Sequence, residues 1–250
     1  MYFYVGIPQP SDARHFERAF ISVNRLRLRD GSRHGRKSPF TAGDWIMDSG
    51  AFTTIAKHGG YPESVDSYAA EIRRWAGRGL VAAVSQDFMC EPFMLAKTGL
   101  TIEDHQRLTI ERYDDLRACD VGGVYIMPVL QGYAPADYAS HVRQYGARLA
   151  FSAYVGVGSV CKRNARPAEI LAVLSAIKAE RPDLRLHGFG VKKTSLRVQA
   201  IRDALYSADS MAWSYSARKQ GRSANDWREA KAFERSVASC GDQPSLALAA

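Results

Sequence analysis

The sequence predicts an α/β chain folded as one compact (β/α)8 barrel, the TIM-barrel arrangement, on three observations. Eight short apolar or aromatic segments recur along the chain, helical patterns separate most of them, and several end in a carboxylate, an amide or a glycine. Strands that finish in polar or glycine positions suit a barrel that gathers its chemistry on one rim of the sheet. The clearest case is Trp45-Ile46-Met47-Asp48-Ser49-Gly50-Ala51-Phe52-Thr53, an apolar strand that delivers a carboxylate, a hydroxyl and a glycine turn. A doubly wound open sheet uses the same alternation, so the pattern alone leaves that topology open.

A chain of 250 residues and 27.7 kDa can bury roughly 70–75% of the surface exposed by its unfolded form, enough for one core without staples. Residues 1–238 are therefore read as one domain, and 239–250 as a small, mixed tail with no reason to be ordered. No apolar run approaches the ~18 residues of a membrane span. The opening Met1-Tyr2-Phe3-Tyr4-Val5-Gly6 lacks a basic leader and a long apolar segment, so no cleaved secretion signal is expected and the location is read as cytoplasmic. Cys90, Cys119, Cys161 and Cys240 are scattered without a close pair, which fits a reducing compartment and gives neither a disulfide framework nor a zinc cluster. The excess of 34 basic over 26 acidic residues, a net charge of +8, favours a polyanionic partner, although many basic enzymes bind no nucleic acid.

Taken in order, Tyr2–Val5 reads as a buried strand ended by Pro8 and Pro10, and Ser11-Asp12-Ala13 caps a short helix to about Ala19. Phe20–Val23 is the second strand. Arg25 to Lys37 carries Arg25, Arg27, Arg29, Arg33, Arg36 and Lys37 with little aliphatic content, and reads as an exposed basic loop. After the strand Trp45–Met47 comes a polar turn with His58, Gly59, Gly60 and Pro62. A helix follows in which Val65, Tyr68, Ala69, Ile72 and Trp75 fall at helical spacing until Gly77-Arg78-Gly79 stops it. Leu80–Val84 is a strand running into Gln86-Asp87. Thr101 caps the clearest long helix, to Leu116, before the strand Val124–Leu130. Pro135 opens a helix to Tyr145, and Ser152–Val155 lies within a strand-like stretch from Leu149 to Val157. Pro167 opens a helix to Ala179. Leu184–Phe189, a helix Ser195–Leu205, a strand Ala208–Trp213 and a last helix Asn225–Val237 complete the pattern.

Asp48, Asp87 and Asp209 each stand near the C-terminal end of an apolar strand, with Gln131 placed similarly. In a closed barrel such ends converge, so distant aspartates can face one ligand, whereas each aspartate alone could equally cap a helix or hold a turn. In Tyr154-Val155-Gly156-Val157-Gly158 the glycines let a flat ligand or a phosphate approach the backbone, or simply make a tight turn. His187 ends another strand, as a ligand contact or as a satisfied rim histidine. Cys90, beside Asp87, reads as packing, since no basic partner can be assigned to it. Two basic segments, Arg25 to Lys37 and Arg218-Lys219-Gln220-Gly221-Arg222, read either as solvated charge or, jointly, as a nucleic-acid surface.

In this order along residues 45–222, Met47-Asp48-Ser49-Gly50-Ala51-Phe52, Gln86-Asp87, Val129-Leu130-Gln131-Gly132, Tyr154-Val155-Gly156-Val157-Gly158, His187-Gly188-Phe189-Gly190 and Asp209-Ser210-Met211-Ala212-Trp213-Ser214-Tyr215-Ser216-Ala217-Arg218 resemble the queuine and archaeosine tRNA-guanine transglycosylase superfamily. The closer likeness is to its branch of deazapurine DNA modification transglycosylases of bacteria and phages. The resemblance implies a TIM barrel that exchanges guanine for a 7-deazaguanine base, such as preQ0, without cutting the backbone. It implies Asp209 as the nucleophile that holds the sugar covalently and Asp48 as the carboxylate that handles protons. Asp87, Gln131 and Gly156, with Ser49, Phe52 and His187, would bind the base. Arg25, Arg29, Arg33, Arg36, Lys37, Arg218, Lys219 and Arg222 would hold the nucleic-acid backbone. Phe88-Met89-Cys90-Glu91 departs from the tRNA enzymes, as does the missing three-cysteine and histidine zinc site. The first bears on the role of Asp87; the missing zinc site and the lack of room for the archaeal RNA-binding domain favour DNA over tRNA and put zinc in doubt, with no metal ligand named. The 7-deazaguanine is then a substrate and no cofactor is expected, while other proteins of a DNA modification system are possible partners. A noncatalytic nucleic-acid-binding subunit and a nucleoside or glycoside hydrolase are the readings from other classes.

Overall fold

The computed structural model describes residues 1–26, 40, 42–163 and 165–240. Nine short strands form one all-parallel sheet: β1 (Tyr2–Gly6), β2 (Arg18–Ser22), β3 (Asp44–Asp48), β4 (Leu80–Val84), β5 (Tyr125–Met127), β6 (Val129–Leu130), β7 (Tyr154–Val157), β8 (Arg185–Gly188) and β9 (Ser207–Ser210). Their order is β5-β4-β3-β2-β1-β9-β8-β7-β6, so the two edge strands are consecutive in the chain and separated only by Pro128. Proline has no N–H to give the ladder, which interrupts the strand there. Its carbonyl still accepts from the amide of Gly156 at 2.9 Å, and Ser85 donates to Met127 on the other side at 3.0 Å. β5 and β6 are thus two halves of one strand that closes the barrel, the eight-strand count expected from the sequence.

Alternation of side chains across each strand builds two cores. Trp45 and Met47 face the surrounding helices while Ile46 faces the barrel lumen, and Met127 and Val129 point inward while Ile126 and Leu130 point out. Both faces are buried, which is why these strands read as continuous apolar runs. The outer layer contains α1 (Ala51–His58), α2 (Val65–Trp75), α3 (Pro92–Thr98), α4 (Ile102–Ala118), α5 (Pro135–Tyr145), α6 (Pro167–Glu180), α7 (Lys193–Leu196), α8 (Gln199–Ala204), α9 (Ala212–Lys219) and α10 (Trp227–Ala238). Thr101 and Asp104 form a reciprocal capping box that starts α4, and Asp226 caps α10 by accepting from the Arg228 amide.

Several expected elements differ. The helix expected to Ala19 is a 3-10 segment, Pro10–His15, and β2 already begins at Arg18. The turn expected after β3 contains α1, and α3 follows Asp87 where no element was expected. β7 begins only at Tyr154, because the residues before it form a 3-10 segment and a turn. Ser195–Leu205 is broken into α7 and α8 by the extended Val198. The strand expected to Trp213 stops at Ser210, where pairing with β1 ends, and Met211-Ala212-Trp213 turns into α9. Short apolar runs of this kind do not reveal by periodicity whether they are strand or helix start. Of the basic loop, Arg27, Arg29, Arg33, Arg36 and Lys37 lie outside the described residues, as do positions 241–250 of the expected tail.

Candidate active site

A pocket of about 590 Å³ opens on the C-terminal rim of the barrel, within the usual size for a small-molecule site. Apart from β5, whose place on the rim is taken by its continuation β6, each strand sends residues to it: Gly6 at the end of β1, Ser22 at the end of β2 with Arg25 after it, Asp48 at the end of β3, Asp87 and Glu91 after β4 and Gln131 after β6. Gly158 and Ser159 after β7, Phe189 and Gly190 after β8, and Asp209 from β9 add to the lining contributed by the strand ends. The aspartates Asp48, Asp87 and Asp209, separated by up to 161 positions in the chain, therefore share one cavity.

Asp48 ends β3 opposite Ser22 of β2. The turn that follows needs Gly50 in the left-handed region, at φ 72°, with the Asn24 side chain packed where a Cβ would sit. Burial pushes the Asp48 carboxyl up to about 6. Hydrogen bonds from the Ser22 side chain and the Gly50 amide oppose that rise, and the charge of Asp209 adds to it. Asp209 sits opposite Tyr4 of β1 and is 6% exposed. One of its oxygens, Oδ1, accepts from the Gly190 amide at 3.0 Å and from His187 Nε2 at 3.3 Å.

Asp87 is buried and its carboxyl is pushed up to about 7, chiefly by burial, against the hydrogen bond from Gln131 and with the charges of Asp48 and Glu91 adding to the rise. Gln131 Nε2 donates to Asp87 Oδ2 and Ser49 Oγ donates to Oδ1 at 3.4 Å. The amide oxygen of Gln131 lies 2.8 Å from Ser159 Oγ, which is 3.0 Å from Glu91 Oε2. A Cβ on Gly158 would fall 2.1 Å from Gln131 Nε2, so this glycine makes the space in which Gln131 lies. The result is a wall of acceptors and donors suited to the edge of a purine. Phe20, Phe52 and Phe189 supply apolar lining, Phe52 being 47% exposed at the mouth and in edge contact with Phe93.

The structure brings Asp48, Asp87, Gln131, Asp209, Phe52 and Arg25 to the pocket. Ser49 stands behind it, buried against Asp87. Gly156 and His187 lie a layer deeper: the Phe189 ring covers Gly156, and His187 is fully buried behind Asp209. Arg218 and Lys219 are exposed in the last turn of α9, about 9 Å along the helix from its start at the rim. Arg222 is exposed and ion-paired with Glu229 at 2.7 Å. Glu91 was not singled out in the sequence. It is 3% exposed, lines the pocket, and its Oε1 has no hydrogen-bond partner among the described residues. A carboxylate four residues after Asp87, directly before the Pro92 that opens α3, was the available signal. Among the described residues no three His, Cys, Asp or Glu side chains converge as metal ligands, and no helix is long and apolar enough to cross a membrane.

No curated protein matches the chain. The family described as DpdA, DeoxyPurine in DNA protein A, matches residues 1–228, nearly the whole chain and all of the strands that build the pocket. A barrel with carboxylates gathered at its rim and a match of that extent have one meaning: the chain belongs to the DpdA family, transglycosylases that act on DNA and exchange guanine for a 7-deazaguanine base.

Proposed function

We propose that this exchange runs through a covalent aspartyl-sugar intermediate on Asp209, with Asp48 as the proton-handling group. The observation that carries the reading is the pairing of the two carboxylates in one pocket, near enough for the charge of Asp209 to raise the pKa of Asp48. In the first half-reaction a carboxylate oxygen of Asp209 bonds to the anomeric carbon of the deoxyribose while the bond to guanine N9 breaks. Charge resembling an oxocarbenium ion develops on the sugar beside that carboxylate, which stabilises and then captures it. The electron pair leaves with guanine and Asp48, held near pH 6, gives the base a proton. In the second half-reaction the Asp48 carboxylate takes the N9 proton of the deazaguanine, whose nitrogen attacks the anomeric carbon and releases Asp209.

The Asp87–Gln131 pair, backed by Ser49, meets the hydrogen-bonding edge of the base, and Phe52 with Phe189 flanks its faces. Gly156 contributes by letting Phe189 lie close beneath the pocket. A guanine inside a duplex must be turned out of the stack to enter, with Arg25 at the pocket and the basic side chains beyond it holding phosphates. The cytoplasm, where DNA is accessible and the four cysteines stay reduced, is the compartment this reading assigns.

The test uses guanine-labelled duplex DNA, single-stranded DNA and tRNA, each with nitrile, amine and amidine deazaguanines, followed by nucleoside mass analysis. Label is expected to leave DNA with matching deazaguanine incorporation. Asp209→Asn is expected to fold but to lose both exchange and the trapped enzyme–sugar adduct. Normal exchange by that variant would remove Asp209 from the nucleophile role.

A further inference from the structure

The barrel lumen is apolar, walled by Phe20, Ile46, Val84, Met127 and Val129 among others, yet three polar groups sit together inside it. His187 and Ser207 have no exposed surface, and the Tyr154 hydroxyl joins them. His187 Nδ1 lies 2.8 Å from Ser207 Oγ and 3.1 Å from the Tyr154 hydroxyl, and the two hydroxyls are 2.5 Å apart. Such a cluster costs free energy in an apolar core unless each member is satisfied. A packing role alone would be met by apolar side chains of similar volume.

The hydrogen-bond directions explain the cluster. As the nucleophile Asp209 acts as a carboxylate, which can only accept, so the Nε2 of His187, 3.3 Å from Oδ1, is the donor. In the tautomer that carries its proton on Nε2, Nδ1 is an acceptor for the Ser207 hydroxyl, and Ser207 accepts in turn from Tyr154. In this arrangement the protons all point one way, from Tyr154 through Ser207 and His187 to Asp209. Phe20 lies parallel to the imidazole at 5.5 Å and Phe189 meets it edge-on at 5.0 Å, which fixes the plane of the ring. The Gly190 amide, three residues after His187 at the end of β8, donates to the same Asp209 oxygen.

We propose that His187 is a positioning residue for base exchange: backed by Ser207 and Tyr154, it anchors Oδ1 of Asp209 so that Oδ2 is presented to the sugar. The proposal rests on the reading of Asp209 as nucleophile. Holding a reacting oxygen in line lowers the entropic part of the barrier to attack without touching the DNA, so the effect belongs in kcat and in the rate of adduct formation, not in KM for DNA.

The experiment compares His187→Leu, His187→Gln, Ser207→Ala and Asp209→Asn in single-turnover adduct formation and steady-state exchange on guanine-labelled DNA, with thermal unfolding in parallel. His187→Leu, which removes the donor, is expected to lose about 100-fold in kcat, the scale of a misplaced reacting group, with KM for DNA and melting temperature near wild type. His187→Gln, which offers an N–H to Asp209 and an oxygen to Ser207, is expected to recover most of that loss. Ser207→Ala, which frees the tautomer, is expected to fall between them. Wild-type kcat in His187→Leu, or equal defects in the Leu and Gln variants, would overturn the proposal while leaving the nucleophile reading intact. If His187→Leu does not fold, Ser207→Ala decides: a lower kcat at unchanged KM supports the proposal, and an unchanged kcat overturns it. Exchange by Asp209→Asn would instead mark the failure of the nucleophile reading itself.

Discussion

At the scale of single residues, the two carboxylates of the proposed mechanism differ in how they are held. Asp209 is fixed by a backbone amide and an imidazole, whereas Asp48 has its carboxyl pushed up to about 6 by burial, with Asp209 adding to the rise. A group titrating there can give a proton to departing guanine and take one from the incoming base. The second of these requires the ionised form. The deazaguanine half-reaction should therefore accelerate tenfold per pH unit up to about 6, the value held by Asp48, and level off above it. The sign follows from the raised pKa: below it the carboxyl keeps its proton and cannot accept another. Rapid-quench measurement of adduct resolution between pH 4.5 and 8 checks this, with Asp48→Asn expected to be slow and without that limb. A wild-type rate that falls as pH rises through 6 would show that protonated Asp48 limits this step.

At the scale of elements, the strand ends set what each side chain can reach, and the end of β7 shows it best. Gly158 leaves the room in which Gln131 lies, while Gln131 is pinned by Asp87 on one side and Ser159 on the other. Gly158→Ala should displace Gln131 and raise KM for the deazaguanine by about tenfold or more, a loss of roughly 1.4 kcal/mol. Gly60→Ala, where an added Cβ meets nothing within 4 Å, is the control expected to change neither KM nor stability strongly. An unchanged KM in Gly158→Ala would show that Gln131 does not read the base. The carboxylates at the end of β3, after β4 and within β9 were legible in the sequence, because apolar runs that end in polar residues are what a rim requires. Depth was not legible: period-two alternation gives the face of a strand but not its height in the barrel, so His187 and Gly156 read as rim residues in the sequence and lie below the rim in the fold. Nor were α1, α3 and α9, which are only seven or eight residues long and begin directly from a strand or a rim turn. A single apolar stripe needs more turns than that to declare its period.

At the scale of the whole molecule, a net charge of +8 meets a substrate with a phosphate at every nucleotide, and the placement of the charges decides how much of it matters. Arg25 lines the pocket, where it can meet the phosphates flanking an extruded nucleotide. Arg218 and Lys219 extend from the end of α9 into solvent, with Lys219 above the Tyr215 ring at 5.5 Å. Arg222 differs, since its guanidinium is already engaged by Glu229 at 2.7 Å. Each cation that pairs with a duplex phosphate releases a counterion and steepens the fall of log K with log salt by about 0.9. Replacing Arg218 and Lys219 together by alanine should therefore flatten the slope by about 1.8 if both meet phosphates. Arg222→Ala should flatten it by less, because that side chain must leave a carboxylate before it can meet DNA. Fluorescence anisotropy of labelled duplex DNA between about 50 and 200 mM salt, the range over which such slopes are resolved, gives all three values. A double variant with the wild-type slope would place the path of the DNA away from the end of α9 and toward the side of the barrel that carries Arg25.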